Sequence, residues 1–326
     1  MKVLIFTEGG KDLGFGHISR CSALFDELTS REVEVEFIIN SEMTYIDMID
    51  NKKCTITNWL SKSFLEKCVS KNSYCIIDSY KADKEIYQFI ADLASKCMYI
   101  DDNSRIEYPK GIIVNPSLVS KLSDAIHNMN TMCLYGPEYI ILRPSFQNGK
   151  RKTVKRNVKK VLVTLGGSDP RNLTNLILNK IVPLFPELLF KVIIGKSFKN
   201  TKVLKSIQLD NLVIEEDLSS EEMRTLMLDS DLAITAAGQT IYELLATQTP
   251  FIPVQVIENQ NNNVAGLIRH DLVNKILHFE DEKLDEKLVL ELVELQKYSI
   301  RQNRYHLYKD LIDGRGCQRI IDKLLR

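Results

Sequence analysis

Val161-Leu162-Val163-Thr164-Leu165-Gly166-Gly167-Ser168-Asp169-Pro170 is the stretch that decides the architecture. Its apolar, β-branched run is bounded by glycines, the signature of a short buried strand. A helical pattern follows over Asn172–Ile181. The same order opens the chain. Val3–Phe6 reads as a strand, and Gly9-Gly10-Lys11-Asp12-Leu13-Gly14-Phe15-Gly16-His17 as a glycine-rich loop. His17–Leu28 then reads as a helix with Ile18, Cys21, Leu24, Phe25 and Leu28 on one face. A chain that starts twice in this way predicts two α/β domains.

Working outward, the first half adds strands at Val33–Ile39, Cys75–Ile77 and Met98–Ile100, and a helix at Lys84–Cys97. Gly111–Val114 and Tyr139–Leu142 are weaker strand candidates. Phe146–Lys160 carries Gly149 and a basic cluster and reads as an interdomain linker. Beyond it the pattern resumes with strands at Lys191–Ile194, Leu212–Glu215, Leu232–Thr235 and Phe251–Val254. Helices fall at Ser220–Leu228, Thr240–Leu245, Asn261–Ile268 and Leu284–Tyr298. Alternating strands and helices give parallel sheets with helical crossovers. The expected domains are 1–148 and 149–326, with the last helix packing back on the first. Ligands of such sheets bind beyond the carboxyl ends of the strands, here in a cleft between two domains.

The 326 residues carry 43 Lys+Arg against 43 Asp+Glu, so the formal net charge is zero. That balance argues against a dedicated nucleic-acid binder, which needs surplus cations for phosphates. It argues equally against a polybasic membrane anchor. The start lacks the apolar core and cleavage site of a signal peptide, and no stretch reaches membrane-span length. The seven cysteines form no C-x-x-C pair. They read as buried thiols of a cytoplasmic protein.

Gly14-Phe15-Gly16-His17 lies between strand and helix, where glycines let a ligand approach the backbone. His17 there suits a general base or acid near neutral pH. Its alternative is a helix cap bound to backbone. Ser19 occupies the place of the last glycine in a dinucleotide fingerprint, so the loop is not that motif. Gly166, Gly167 and Ser168 form a ligand loop or a plain turn, with Pro170 suited to the first helical turn. In Ile234–Glu243 small residues end a strand, and a helix opens at Gln239–Thr240. Gly238, Gln239 and Thr240 suit a diphosphate, and Glu243 suits ribose hydroxyls or merely complements the helix dipole. Asn259 and Gln260 offer amides to sugar hydroxyls, while Asn261 or Asn262 suits a helix cap.

Asp78-Ser79-Tyr80 and Asp101-Asp102-Asn103 follow strands at the ligand end. Asp78, Tyr80 and Asp102 are candidates for substrate contact, and turn chemistry explains both segments nearly as well. Asp229-Ser230-Asp231 is a literal D-x-D, but it joins a helix to the start of a strand and reads as a turn. No metal site is expected. Asp313-Gly314-Arg315-Gly316 reads as the turn before a final helix.

These segments resemble the PseG/SpsG family. The matches are GFGHISRCSAL, IIDSY, YIDD, LYGPEYIILRPSF, TLGGSDPRNL, DLAITAAGQTIYELLATQTP, ENQ and DGRG, in order from residue 14 to 316. Gly238–Gln260 also looks like the nucleotide site of MurG. Tyr242 stands where the family usually has Trp, and Gln239 where it has Ser or Thr. The resemblance implies a GT-B fold, with two Rossmann-like domains whose parallel sheets face across a cleft. It implies metal-independent chemistry without a cofactor, on a UDP-sugar with UDP as product. His17 becomes the general base, and Arg20 joins Gly14 and Gly16 in the matching loop as nucleotide- or substrate-binding residues. Gly238–Glu243 would hold the nucleotide, with Asn259 and Gln260 near sugar and phosphate. The expected activity is inverting hydrolysis of a UDP-activated amino or deoxy sugar, in pseudaminic-type acid or surface polysaccharide biosynthesis. The alternative is a GT-B glycosyltransferase of polysaccharide or spore-coat biosynthesis.

Overall fold

The computed structural model describes all residues except 11–13, 47–48, 119–130, 148–149, 151–152, 196 and 200. Lys11, Asp12 and Leu13 of the first glycine loop lie outside the described residues, as do Gly149, Arg151 and Lys152 of the linker. The chain forms two compact units, Met1–Pro144 with Gly314–Arg326, and Ser145–Asp313. The division falls at Pro144/Ser145, where the sequence reading set 148/149, and the last helix belongs to the first unit.

Among the described residues, the first unit has a parallel sheet of β1 (Lys2–Glu8), β2 (Glu34–Asn40), β3 (Cys54–Ile56), β4 (Ser73–Asp78), β5 (Lys96–Ile100), β6 (Gly111–Asn115) and β7 (Thr131–Tyr135). Its order is β3-β2-β1-β4-β5-β6-β7. Helices α1 (Gly16–Ser30), α2 (Lys62–Cys68) and α3 (Lys84–Leu93) belong to it. Strand β1 is apolar at consecutive positions because both faces of a parallel sheet are covered. Val3 and Ile5 pack with Ile18, Leu24 and Leu28 of α1 and with Ile320 and Leu324 of the C-terminal helix. Leu4 and Phe6 pack with Trp59, Ile77 and Tyr87 on the other face.

The expected strand at Tyr139–Leu142 is not one. Pro137–Tyr139 forms a 3₁₀ turn, and the segment instead receives the C-terminal helix Gly316–Leu325. Gly316 is pressed on this segment so closely that a Cβ would lie 2.0 Å from the Ile140 carbonyl oxygen. Arg319 Nη1 donates to Glu138 O (3.1 Å), and Arg31 Nη1 to Asp322 Oδ1 (2.6 Å). The helix expected over Lys84–Cys97 ends at Leu93, because Cys97 pairs with Cys75 inside the sheet.

The second unit has a parallel sheet of β8 (Lys160–Thr164), β9 (Leu189–Ile194), β10 (Leu212–Glu216), β11 (Leu232–Ala236), β12 (Phe251–Gln255) and β13 (Leu277–His278). Its order is β10-β9-β8-β11-β12-β13. The helices are α4 (Leu173–Lys180), α5 (Thr201–Lys205), α6 (Ser220–Asp229), α7 (Thr240–Ala246), α8 (Asn261–Arg269), α9 (Leu284–Gln296) and α10 (Tyr298–Tyr308). One helix was expected over Leu284–Tyr298. Extended backbone at Lys297 ends α9 there and starts α10. Arg301 of α10 is fully buried and donates to the carbonyls of Lys155 (2.7 Å) and Arg156 (2.9 Å), satisfying backbone that leads into β8.

The D-x-D segment is structural. Asp229 ends α6 and pairs with Lys160 at 2.7 Å, while buried Asp231 accepts from the amides of Lys159 (2.8 Å) and Lys160 (3.0 Å). Among the described residues no helix is long and apolar enough to cross a membrane.

Candidate active site

Strand order positions the site in the first unit. The connections from β1 and β4 leave in opposite directions, so a crevice opens at the carboxyl ends of this adjacent pair. Residues from three elements meet there. His17 and Arg20 lie on the first turn of α1, three residues apart and so on one helix face. Asp78 ends β4, and Asp102 follows β5.

Arg20 ties these elements together. Its Nε donates to Asp78 Oδ2 and its Nη2 to Asp78 Oδ1, both at 2.6 Å. This bidentate fork is the strong form of the carboxylate–guanidinium contact. Its Nη1 donates to Asp102 Oδ2, also at 2.6 Å. Burial opposes the charge on Arg20, but Asp102 and Asp78 outweigh it and hold its pKa well above the ordinary value. Burial likewise opposes ionisation of Asp102, yet Arg20 holds that carboxyl below its usual range. The side chains of Arg20 and Asp78 are 3% and 0% exposed. Arg20, grouped by the sequence reading with the nucleotide- or substrate-binding residues, thus has a buried guanidinium that donates to two carboxylates.

His17 Nδ1 stands 3.7 Å from Asp78 Oδ1. No cap interaction of the His17 side chain replaces this geometry, since the N-cap of α1 is Phe15. Tyr80 packs edge-on against the imidazole, with ring centroids 4.4 Å apart. The Tyr80 hydroxyl donates to Asp102 Oδ1 (2.8 Å) and accepts from Asn103 Nδ2 (2.7 Å). Burial, reinforced by Asp102, raises the Tyr80 pKa and keeps the phenol protonated. Thus Asp78 and Asp102 are joined by hydrogen bonds through Arg20, Tyr80 is joined to Asp102, and His17 packs against this group.

Their neighbours explain the turns. Asp101 Oδ1 accepts from Asn103 N (2.9 Å), so turn chemistry belongs to Asp101 and leaves Asp102 to the site. Glu8 accepts from Ser79 Oγ (2.5 Å) and Tyr80 N (2.7 Å), bracing the loop after β4. Glu8, the last residue of β1, escaped the sequence reading because no motif marks it. Around Gly14 and Gly16 an added Cβ would meet nothing within 4 Å among the described residues, so the backbone there is open.

In the second unit the switch falls between β8 and β11, whose Thr164 and Thr235 pair in register. The loops that leave these strands, Gly166–Ser168 and Gly238–Thr240, are therefore neighbours. Gly166 has φ +85°, and its surroundings are open. Gly195 holds this loop from behind. A Cβ on it would lie 2.4 Å from Gly166 O, and Ser197 N donates to Gly167 O at 2.9 Å. Gly195 was missed, since a lone glycine after a strand has no motif. Pro170 precedes α4 rather than opening it. Asp169 caps that helix, accepting from Leu173 N (2.9 Å) and Thr174 N (2.7 Å).

Gln260 is buried, with Oε1 accepting from Val256 N (2.9 Å) and Nε2 lying 3.7 Å from the position of a Gly238 Cβ. Asn259 is exposed beside it. Tyr242 is fully buried and donates to Asn263 Oδ1 (2.5 Å), whose Nδ2 donates to Ala237 O (2.8 Å). Asn263 thus anchors the loop before Gly238. The N-cap of α8 is Gln260, which makes no side-chain capping bond, rather than Asn261 or Asn262. Glu243 lies half-buried in α7. Arg171, also unforeseen, stacks on Phe279 with 3.7 Å from guanidinium to ring centre. Among the described residues no group of three His, Cys, Asp or Glu side chains is placed to hold a metal ion.

Two such sheets, each with glycine loops at its switch point, define a glycosyltransferase-like enzyme of the GT-B class. Residues 161–306 match the glycosyltransferase family 28 C-terminal domain. MurG of Acinetobacter baumannii shares the fold, with a TM-score of 0.67 at 12% identity, covering 100% of this chain and 99% of that one. Within that class the chain is similar to proteins of the PseG/SpsG family. It is 24% identical to the spore coat polysaccharide biosynthesis protein SpsG of Bacillus subtilis, over 98% of this chain and 96% of that protein. It is 26% identical to a Helicobacter pylori protein over 76% of this chain and 43% of the other. That protein is named pseudaminic acid cytidylyltransferase and UDP-2,4-diacetamido-2,4,6-trideoxy-beta-L-altropyranose hydrolase.

Proposed function

We propose that the protein is a metal-independent, inverting hydrolase of a UDP-activated amino or deoxy sugar, acting in pseudaminic-type acid or surface polysaccharide biosynthesis. The observation that carries this reading is His17 at the switch point of β1 and β4, its ring braced by Tyr80 and its Nδ1 turned to Asp78. The name of the Helicobacter pylori relative supports the substrate class.

In the reaction, His17 Nε2 takes a proton from water and the oxygen attacks the anomeric carbon. The bond from that carbon to the diphosphate oxygen breaks, UDP leaves with the electron pair, and the configuration inverts. His17 then returns the proton to solvent. A diphosphate needs little protonation to leave, so one base suffices. General-base help of this kind contributes about 10²–10⁴-fold. Backbone amides of Gly166, Gly167 and Gly238–Thr240 are assigned to the diphosphate. Glu243 is assigned to the ribose, Ser168, Asn259 and Gln260 to phosphate and sugar, and Tyr80 and Asp102 to the sugar.

The rival reading is a transferase in which the same base activates a sugar hydroxyl. The family 28 domain and the SpsG relative favour it. A panel of UDP- and CMP-sugars without acceptor separates the two. Hydrolysis predicts free nucleotide from at least one UDP-sugar, and a fall of about 10²–10⁴-fold in folded His17→Ala. Nucleotide release only after an acceptor is added makes the protein a transferase. Near-normal turnover by His17→Ala removes His17 as the base.

A further inference from the structure

We propose that Arg20 and Asp78 are positioning residues for His17. Arg20 fixes the Asp78 carboxylate, and that carboxylate selects the Nδ1–H tautomer of the imidazole, leaving Nε2 as the proton acceptor. The proposal rests on the assignment of His17 as base made above.

A neutral imidazole carries one N–H and one lone pair, and the partner of one nitrogen decides which is which. His17 Nδ1 is buried and has no hydrogen-bond partner among the described residues. The nearest charged oxygen is Asp78 Oδ1 at 3.7 Å. A lone pair on Nδ1 would face a carboxylate and be repelled, whereas an N–H is attracted. Asp78 cannot reverse this by donating a proton, since both its oxygens accept from Arg20. Cys21 Sγ also donates to Asp78 Oδ2 (3.4 Å), and burial raises the Cys21 pKa, so that group stays a neutral donor.

The clamp is closed from every side. From α1 come Arg20 and Cys21, from the end of β4 come Asp78 and Tyr80, and after β5 comes Asp102. Arg20 cannot swing away, because its third donor is held by Asp102. The imidazole is confined in turn by the edge-on Tyr80 ring, which is tethered to Asp102. One cation against two carboxylates leaves a net negative charge beside His17. A purely structural ion pair has no need to face the imidazole, and buried pairs are often replaceable by apolar side chains without loss of stability.

The test is long-range ¹H–¹⁵N correlation on the full chain labelled at its five histidines, without substrate, with the His17 signals assigned by their loss in His17→Gln. The expected wild-type pattern of neutral His17 is the Nδ1–H tautomer. Asp78→Asn should cut that share several-fold and lower kcat by roughly 10²–10⁴-fold, with KM within about threefold, as when a base is held in the wrong tautomer. Arg20→Lys should fall between, and Asp78→Glu should restore part of both readouts. A wild-type Nε2–H tautomer overturns the proposal, and needs only the assigning His17→Gln variant to fold. An unchanged tautomer in Asp78→Asn or in Arg20→Lys overturns it too. Because the tautomer is read without substrate, these failures are distinct from normal nucleotide release by His17→Ala, which would overturn the base assignment instead.

Discussion

Replacing Arg20 with Met should destabilise the first unit by about 3–5 kcal/mol at pH 7. The perturbation removes a buried cation while leaving a fully buried Asp78 and a partly buried Asp102 behind. Charges about 4 Å apart attract by roughly 4 kcal/mol at an effective dielectric near 20, so two partners give roughly 8. Against this stands the desolvation of the guanidinium itself, several kcal/mol. The difference falls in the stated range. The loss should also depend on pH. Arg20 holds the Asp102 carboxyl below its usual value, so this contact's stabilisation is fully present above the unfolded pKa of about 3.9 and is lost as pH falls through the folded value. An unpaired buried carboxylate in the variant can take up a proton as the medium acidifies. The gap between wild type and variant is therefore widest near neutrality and narrows below about pH 4. Urea unfolding followed by tryptophan fluorescence measures it. Trp59 is the only tryptophan and is fully buried in the first unit, where its Nε1 donates to Thr7 O at 2.8 Å. Its signal thus reports the unit that holds Arg20 even if the two units unfold separately. A loss under about 1 kcal/mol at pH 7, or a gap that does not narrow as pH falls below about 4, would refute the reasoning.

Two glycines test the supports of the fold and of the second unit's loops. Gly316→Ala places a Cβ 2.0 Å from Ile140 O, so backbone must shift where the C-terminal helix docks. The expected cost is about 1–3 kcal/mol in the Trp59-monitored transition, and an unchanged midpoint would mean the close approach is not a constraint. Gly195→Ala drives a Cβ against Gly166 O and Gly167 O at 2.4 and 2.6 Å. It should weaken UDP binding about tenfold, equivalent to 1.4 kcal/mol, by calorimetric titration, while the His17 tautomer stays as in wild type. Unchanged UDP affinity would exclude the Gly166–Gly167 loop from the nucleotide site.

What could be read from the chain, and what could not, follows from the range of each interaction. Central strands such as β1 and β11 announce themselves as continuous apolar runs because both faces are buried. Edge strands β3 and β7 are half-exposed, lack that run, and went unread. The site loops were legible by place, since every one leaves the carboxyl end of a parallel strand. Their partnerships were not. Asp78 lies 58 residues from Arg20 and Asp102 lies 82 residues from it. They meet only because β1, β4 and β5 are consecutive in the sheet.

That order also gives the H-x-x-R spacing of His17 and Arg20 a physical reason. Three residues along a helix return to the same face. A base at the first position and a guanidinium at the fourth therefore look toward one strand end. A carboxylate at the end of the neighbouring strand can then engage the guanidinium with both oxygens and the imidazole with one. Read singly, Arg20 after a glycine loop suggests a phosphate ligand. Read with Asp78 at the next strand end, the same residue becomes the proposed anchor of the base. The proposed function assigns the diphosphate to the glycine loops of the second unit, whose amides need no added charge. On the proposed function, a chain of zero net charge can serve an anionic substrate, because backbone amides and helix ends hold phosphate without added cations.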